Sequence, residues 1–271
     1  MGRRYDTISF LTDYGTTDEF VGVVKSVVRG IAPHAAVIDI THEIPPHDTR
    51  TGALTLMRSA QYLASGVVLA VVDPGVGTAR RAVAVEVAGG EGIFVGPDNG
   101  LLAPAVAMTG GAERAVELTN PAYHLPAPGP TFAGRDVFGP VAGHLCNGVD
   151  LAELGEEIDP LGLLPGIIPL SASEDDHVRG EVLWVDRFGN VQLNVDPDEI
   201  ERFGDRIVVK WNEENDVRRA KRATTYGDLK PGQLGVIVDS YGLVSLAVDR
   251  GSAATELRLR PGDSVILTEP S

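Results

Sequence analysis

The fold of the first half of the chain is decided by residues 67–81, VVLAVVDPGVGTARR. The six apolar residues 67–72 have the length and the β-branched content of a strand that is buried on both faces. This run stops at Asp73, and Pro74 with the glycines that follow forces a turn. An acidic side chain between a buried strand and a glycine-rich loop is typical of the ligand site of an open α/β sheet.

The same turn has two alternative interpretations, a dinucleotide-binding loop and a plain tight connection. A dinucleotide loop requires a third glycine where Arg80 stands, and a helix directly afterwards. The chain continues instead with AVAVEV, residues 82–87, whose alternation predicts another strand. A loop for nucleotide phosphates is therefore disfavoured.

Two further predicted strands, residues 7–11 and 93–95, are followed by Asp13 and Asp98. Because the carboxyl ends of parallel strands lie at one edge of a sheet, we expect both aspartates to converge with Asp73. This recurrence favours a shared functional role over the turn-forming role that each aspartate would have alone.

Residues near these strand ends also have structural interpretations. Thr17 or Asp18 can cap a first helix that runs to about residue 31. His42 and His47 lie in the loop after a strand predicted at residues 37–40, where a single histidine is more often solvated than functional. The prolines of that loop prevent a helix until Asp48, which can cap one.

A proline-rich and then polar segment near residues 160–178 separates two sequence patterns. Before it, alternating strands and helices predict an α/β domain over residues 1–165 with a largely parallel central sheet. After a linker at 166–177, short strands and turn signals predict an all-β domain, a barrel or a sandwich, over residues 178–271. Its predicted strands are residues 180–186, 191–195, 207–211, 233–238, 243–248 and 264–267.

Two turns of the second domain, DRFGN at 186–190 and DSYG at 239–242, place polar groups beside an aromatic ring. Such a combination suits a flat ligand ring with hydrogen-bonding edges. Ordinary hairpin turns explain the same residues equally well. In the first domain, the long proline-rich loop at 120–136 is a candidate lid or binding loop.

The composition excludes several classes of function. The formal net charge of −15 leaves no basic stripe for DNA or RNA. The six histidines do not occur at metal-ligand spacings, so we expect no transition metal. The one cysteine, Cys146, cannot form an internal disulfide and is expected to pack in a helix. We expect a cytoplasmic protein, because we find neither a signal peptide nor an apolar run near the roughly 20 residues that span a bilayer.

Six motifs resemble those of the S-adenosyl-L-methionine (SAM) hydrolases, also called SAM hydroxide adenosyltransferases. In chain order they are TDYGTTDEF, THEIPPHD, VVDPGVGTARR, VGPDNG, TFAGRDVF and VDRFGNVQLN. The resemblance covers nearly the whole chain and implies an α/β N-terminal domain and a C-terminal β-barrel. It also implies a homotrimer, with each site between the N-terminal domain of one subunit and the C-terminal domain of its neighbour. The reaction implied is attack of water or hydroxide on C5′ of the SAM ribose, giving adenosine and methionine without a further cofactor.

The resemblance also assigns a role to individual residues. Asp73 would orient the nucleophilic water and accept its proton, and Arg80 would pair with Asp73. Asp13 would bind the ribose diol, and His47 occupies the place of a ring that packs on the ribose. The other matching positions are Asp18, Asp186 and Ser240 at the methionine end, and Phe188, Tyr226, Asn190, Val248 and Arg250 around adenine.

Two comparisons within the resembling family decide between reactions. The halogenating relatives, fluorinase and chlorinase, have tyrosine in place of Asp73, threonine in place of Val76 and a long insertion that is missing here, so hydroxide is favoured over halide. The hydrolases have histidine where this chain has Ala133, which can neither orient nor relay a proton. Ala133 is either an introduced substitution or a natural variant, and in both cases we expect reduced turnover. The alternative functions are a SAM-dependent halogenase and a non-catalytic SAM or adenosine sensor.

Overall fold

The chain divides into two units, Met1–Ile168 and Pro169–Ser271, each built around its own hydrophobic core. The structure is a computed structural model that describes residues 2–270. The division falls within residues 166–177, the segment predicted as a linker. Within the described residues, no helix is both long enough and apolar enough to cross a membrane.

One sheet organises the first unit. Its strands are β1 (Thr7–Thr12), β2 (Ala36–Thr41), β3 (Gly66–Val71), β4 (Ala82–Val87), β5 (Gly92–Pro97), β6 (Arg114–Glu117) and β7 (Glu156–Ile158). Its helices are α1 (Phe20–Ile31), α2 (Thr49–Ala60), α3 (Ala103–Met108) and α4 (Gly139–Cys146). The strand order is β2-β1-β3-β5-β4-β6-β7, in which only β4 and β7 run against the others. The predicted largely parallel sheet is therefore confirmed.

Strand β3 lies inside this sheet between β1 and β5, and every one of its residues is buried. Alternate side chains face two helical layers. Leu69 and Val71 belong to the same core cluster as residues of α1 and α4, whereas Val68 and Ala70 share a core cluster with residues of α2 and α3. Burying a valine or leucine side chain contributes about 1.5–3 kcal/mol, so packing on both faces anchors β3 in the sheet.

The chain changes direction across the sheet between β1 and β3. The connection after β1 leads through α1 to β2 on one side, whereas the connection after β3 leads to β4 and β5 on the other side. Open α/β sheets bind ligands in the crevice outside the carboxyl ends of the strands at such a point. Asp13 and Asp73 follow these two strands, so the topology puts both at this crevice.

One of the two predicted helix caps is wrong. Helix α1 is preceded by Glu19, whose side chain makes no capping hydrogen bond, so neither Thr17 nor Asp18 is its cap. The loop after β1 continues to residue 19, and Thr16 in that loop donates a hydrogen bond to Glu43 at 3.1 Å. Asp48 does cap α2, because it accepts a hydrogen bond from the Thr51 amide at 2.9 Å.

The second unit is a closed barrel. Its elements are β8 (Ala172–Ser173), β9 (His177–Val185), β10 (Val191–Leu193), β11 (Arg206–Trp211), β12 (Asp216–Arg222), β13 (Leu234–Val238), β14 (Val244–Val248), α5 (Ala253–Leu257) and β15 (Ser264–Thr268). The strands pair in the order β10-β14-β13-β12-β11-β15-β9, and β9 pairs again with β10, which closes the ring. Strand β8 pairs with β9 alongside this ring. The predicted all-β barrel is confirmed, and the sandwich alternative is wrong.

Candidate active site

A cavity of about 240 Å³ lies at the carboxyl ends of β1 and β3; we call it the N-terminal cavity. It brings together four of the residues singled out from the sequence, Asp13, His47, Asp73 and Ala133. The rest of its lining is largely aromatic and apolar: Tyr14, Phe20, Pro46, Val71, Val76, Thr131, Phe132 and Gly134. A few charged groups within such a lining can orient a ligand and exclude water around it.

Asp73 and Arg80 form a two-point ion pair beside this cavity. The Arg80 Nε donates to Asp73 Oδ1 at 3.0 Å, and Arg80 Nη2 donates to Asp73 Oδ2. Only 6% of the Asp73 side chain and 13% of the Arg80 side chain are exposed. Burial raises the pKa of Asp73 above its ordinary value, while the Arg80 charge and its hydrogen bonds oppose that rise. The Asp73 carboxylate is therefore fixed in place by Arg80 and has an increased affinity for a proton.

Asp13 is held in place by the neighbouring loop. Its Oδ2 accepts a hydrogen bond from the backbone amide of His47 at 2.9 Å. His47 has a φ of 68°, the left-handed conformation that costs an ordinary residue about 1–3 kcal/mol and is often found at binding sites. This conformation and the amide bond keep the His47 ring and the Asp13 carboxylate on the same cavity.

The prediction that Asp98 converges with Asp13 and Asp73 is wrong. Asp98 is only 5% exposed and does not line the N-terminal cavity. It accepts hydrogen bonds from Arg81 Nε at 2.9 Å and from the Leu164 amide at 2.8 Å. Arg81 lies just before β4, and the antiparallel pairing of β4 with β5 brings it to the end of β5. Arg81 therefore forms an ion pair with Asp98.

Ala133 immediately precedes a π-helical turn, Gly134–Phe138, that leads into α4. It lines the N-terminal cavity and also a separate groove of about 460 Å³ that contains Arg80. A larger side chain at position 133 would therefore stand close to the Asp73–Arg80 pair. Glycine is required next to it, because a Cβ at position 134 would collide with the Tyr14 hydroxyl.

Three aromatic rings of the cavity were not predicted from the sequence. The Tyr14 ring lies 5.8 Å from Phe20 and 5.7 Å from Phe132, and the rings of Phe20 and Phe132 are 5.0 Å apart. Tyr14 and Phe20 belong to the same motif as Asp13, and Phe132 adjoins Ala133. Their position within these motifs is the sequence feature that could have identified them.

The Cys146 thiol is buried at the end of α4, which raises its pKa to about 12 and fits the predicted packing role.

The second unit contains a larger cavity of about 610 Å³, the C-terminal cavity. It is lined by six of the predicted residues, together with Asp249 and Gly251: Asp186, Phe188, Asn190, Tyr226, Val248 and Arg250. Phe188 and Tyr226 are 80% and 50% exposed, and both border this cavity. Such rings can take a flat ligand between them.

Hydrogen bonds fix the shape of the turn in this cavity. Asp186 Oδ1 accepts from the amides of Phe188 and Asn190 at 2.9 and 2.8 Å. The Asn190 side-chain amide donates to Asp186 Oδ2 at 2.7 Å and lies 3.5 Å from the Tyr226 hydroxyl. Asp186 therefore fixes the backbone of this turn and the orientation of the Asn190 side chain.

Two predicted residues, Asp18 and Ser240, are exposed and line neither cavity. Ser240 lies in a turn whose preceding residue, Asp239, accepts from the Gln192 side chain at 2.6 Å and from the Tyr241 amide at 2.9 Å.

Within the described residues, the group that could hold a metal ion is Glu174, Asp176 and His177, and it also lies outside both cavities.

Comparisons with known proteins agree over both units. The SAM hydroxide adenosyltransferase N-terminal domain matches residues 8–155, and the corresponding C-terminal domain matches residues 180–266. The chain is 47% identical over 261 residues to the (R)-S-adenosyl-L-methionine hydrolase of Salinispora arenicola, covering 96% of this chain and 97% of that protein. A fluorinase from Nocardia brasiliensis is 29% identical over 295 residues, with 97% of each protein covered. The crystal structure of an uncharacterized conserved protein from Thermotoga maritima has a TM-score of 0.88 at 36% identity, covering 96% of this chain and 99% of that one.

Proposed function

The chain belongs to the SAM hydroxide adenosyltransferase family, and from this membership we propose that it hydrolyses SAM to adenosine and methionine. The name of the Salinispora arenicola relative directs the proposal to the (R) epimer at the sulfonium. The observation that carries the proposal is the buried Asp73–Arg80 pair, which lies near Asp13 in the crevice at the carboxyl ends of β1 and β3. The reaction needs no further cofactor.

The chemistry places few demands on the protein. Methionine leaves C5′ as a neutral thioether, so no general acid is needed. The oxygen of one water forms a bond to C5′ while the electrons of the C5′–S bond pass to sulfur. The protein must hold that water in line with the breaking bond and remove its proton. Asp73 accepts the proton, and Arg80 orients the carboxylate and stabilises the hydroxide character of the water.

The remaining predicted residues bind the substrate. Asp13 accepts hydrogen bonds from the ribose diol, and the His47 ring packs on the sugar. Phe188 and Tyr226 stack on adenine, and Asn190 bonds to its edge. The other proposed contacts are Val248 and Arg250 at adenine, and Asp18, Asp186 and Ser240 at the methionine end.

Product analysis tests the reaction. We expect that SAM incubated with the protein yields adenosine and methionine, separated by chromatography, and that the (R) epimer is consumed faster than the (S) epimer. Formation of 5′-chloro-5′-deoxyadenosine in the presence of chloride would instead identify a halogenase. Tight binding of SAM without any product, even after Ala133→His, would identify a sensor, the alternative that Ala133 favours.

The pH dependence should identify Asp73 as the proton acceptor. Asp73 must be ionised to act, so kcat/KM should fall as the pH decreases through its raised pKa. Arg80→Gln removes the charge that opposes this rise, and we expect the acid limb of the profile to move to higher pH. Arg80→Lys retains the charge and should move the limb less. A limb that stays in place in Arg80→Gln would contradict the assignment.

We further propose a homotrimer in which the N-terminal cavity of one subunit and the C-terminal cavity of its neighbour form one site. Asp73→Asn and the double variant Phe188→Ala, Asn190→Ala are each expected to be nearly inactive, because each removes one half of every site. Co-expression of the two inactive chains should recover activity, since statistical mixing gives about one quarter of sites two intact halves. Failure to recover activity in mixed oligomers would argue against shared sites.

A further inference from the structure

A buried polar network lies behind the turn that carries Asp13, and the proposed reaction does not use it. Thr12 has no exposed surface and His42 is 5% exposed. Thr12 Oγ1 lies 2.9 Å from His42 Nδ1. His42 Nε2 lies 3.0 Å from Asp39 Oδ1, within ion-pair distance although not aligned as a hydrogen bond. Lys25 Nζ donates to the other oxygen of Asp39 at 2.6 Å.

This network reaches the residues that flank Asp13. The Tyr14 amide donates to Thr12 Oγ1 at 3.1 Å, and the Gly15 amide donates to the His42 carbonyl at 2.7 Å. The rings of His42 and Phe10 make an edge-to-face contact, with centroids 4.8 Å apart. Both the side chain and the backbone of His42 therefore hold the turn around Asp13.

The order Asp39, His42, Thr12 resembles a nucleophilic triad, but the burial excludes that role. Thr12 is fully buried, and neither Thr12 nor His42 lines the N-terminal cavity. Thr12 Oγ1 also accepts the Tyr14 amide. A hydroxyl that no substrate can reach cannot attack one, so the network can act on the site only through the turn at residues 13–15, which it holds by the amides of Tyr14 and Gly15.

We propose that His42 is a positioning residue that sets the orientation of Asp13 toward the ribose hydroxyls of the substrate. When His42 Nδ1 accepts the Thr12 hydroxyl, the lone pairs of Thr12 Oγ1 remain available to the Tyr14 amide. Thr12 Oγ1 has both of these partners, and a buried polar group whose partners are in place holds one geometry. The proposal rests on the proposed function, because Asp13 binds the diol only in that function.

The test compares the binding of two nucleosides to the full-length protein by titration calorimetry. Adenosine has the diol, and 2′,3′-dideoxyadenosine lacks it. His42→Leu removes both ring nitrogens at similar volume, and we expect adenosine to bind about tenfold more weakly, the usual effect of losing a hydrogen bond to a charged group. The affinity for 2′,3′-dideoxyadenosine should change by less than about twofold in the same variant. His42→Asn keeps an acceptor near the position of Nδ1 and should restore most of the adenosine affinity.

The controls separate positioning from general damage. His34→Leu alters a more exposed histidine, whose Nε2 lies 3.2 Å from the Cys146 carbonyl, and should change neither affinity. Asp39→Asn changes only the partly exposed end of the network and should give a smaller diol-specific loss, so it serves if His42→Leu does not fold. An equal loss for both nucleosides in folded variants would overturn the role of His42. Equal affinity of the unaltered protein for both nucleosides would instead contradict the proposed role of Asp13.

Discussion

Replacing Asp73 by asparagine is expected to lower the rate of adenosine formation by about 10²–10⁴, the range for loss of a positioned proton-transfer group. Asparagine has nearly the same shape but cannot accept the proton of the attacking water. The substrate contacts remain, so we expect KM to change little while kcat falls. Initial rates at several SAM concentrations measure both quantities.

Asp98→Asn is the matched control. Asp98 is also a buried aspartate paired with an arginine, Arg81, but it lies outside the N-terminal cavity. A folded Asp98→Asn variant should keep its turnover, whereas Asp73→Asn should not. Comparable losses of kcat in the two variants would mean that burial of an Asp–Arg pair, rather than proton transfer, explains the effect.

Introducing histidine at position 133 is expected to raise turnover by about 10²–10⁴ over the chain with alanine. Ala133 adjoins both the N-terminal cavity and the groove that contains Arg80, so an imidazole there can orient the water or relay its proton. The measurement is the rate of adenosine formation by Ala133→His against the unaltered chain. Equal rates would show that position 133 has no part in proton transfer.

Two control variants test whether the expected gain in turnover comes from the imidazole of Ala133→His. Ala133→Leu fills similar space without a titratable group and should bring no increase. If the new imidazole works through Asp73, the gain should disappear when Asp73→Asn is added, because groups that act as a unit are not additive. A gain that persists without Asp73 would mean that the histidine is itself the proton acceptor.

Strand β12 shows where sequence patterns fail. Its sequence, DVRRAKR, has no apolar alternation, and Ala220 is its one buried residue, so no strand was predicted there. It forms because it pairs with β11 on one side and β13 on the other, while Ala220 enters the core and half-buried Arg222 donates to the Ile200 carbonyl. Strand β7, EEI, was missed for the same reason and pairs with β6 at the edge of the sheet. Pairing with distant strands supplied what local sequence did not indicate.

Local sequence by itself determined the buried strand β3, the turn at Asp73 and the spacing that lets Arg80 fold back onto Asp73, because these depend on apolar content, Pro74 and a short chain connection. Only the tertiary structure decided which strand ends share a cavity. Asp13 joins Asp73 because β1 pairs directly with β3, whereas Asp98 is taken up by Arg81. Partners separated by tens of residues are selected by sheet order and packing, which no local pattern encodes.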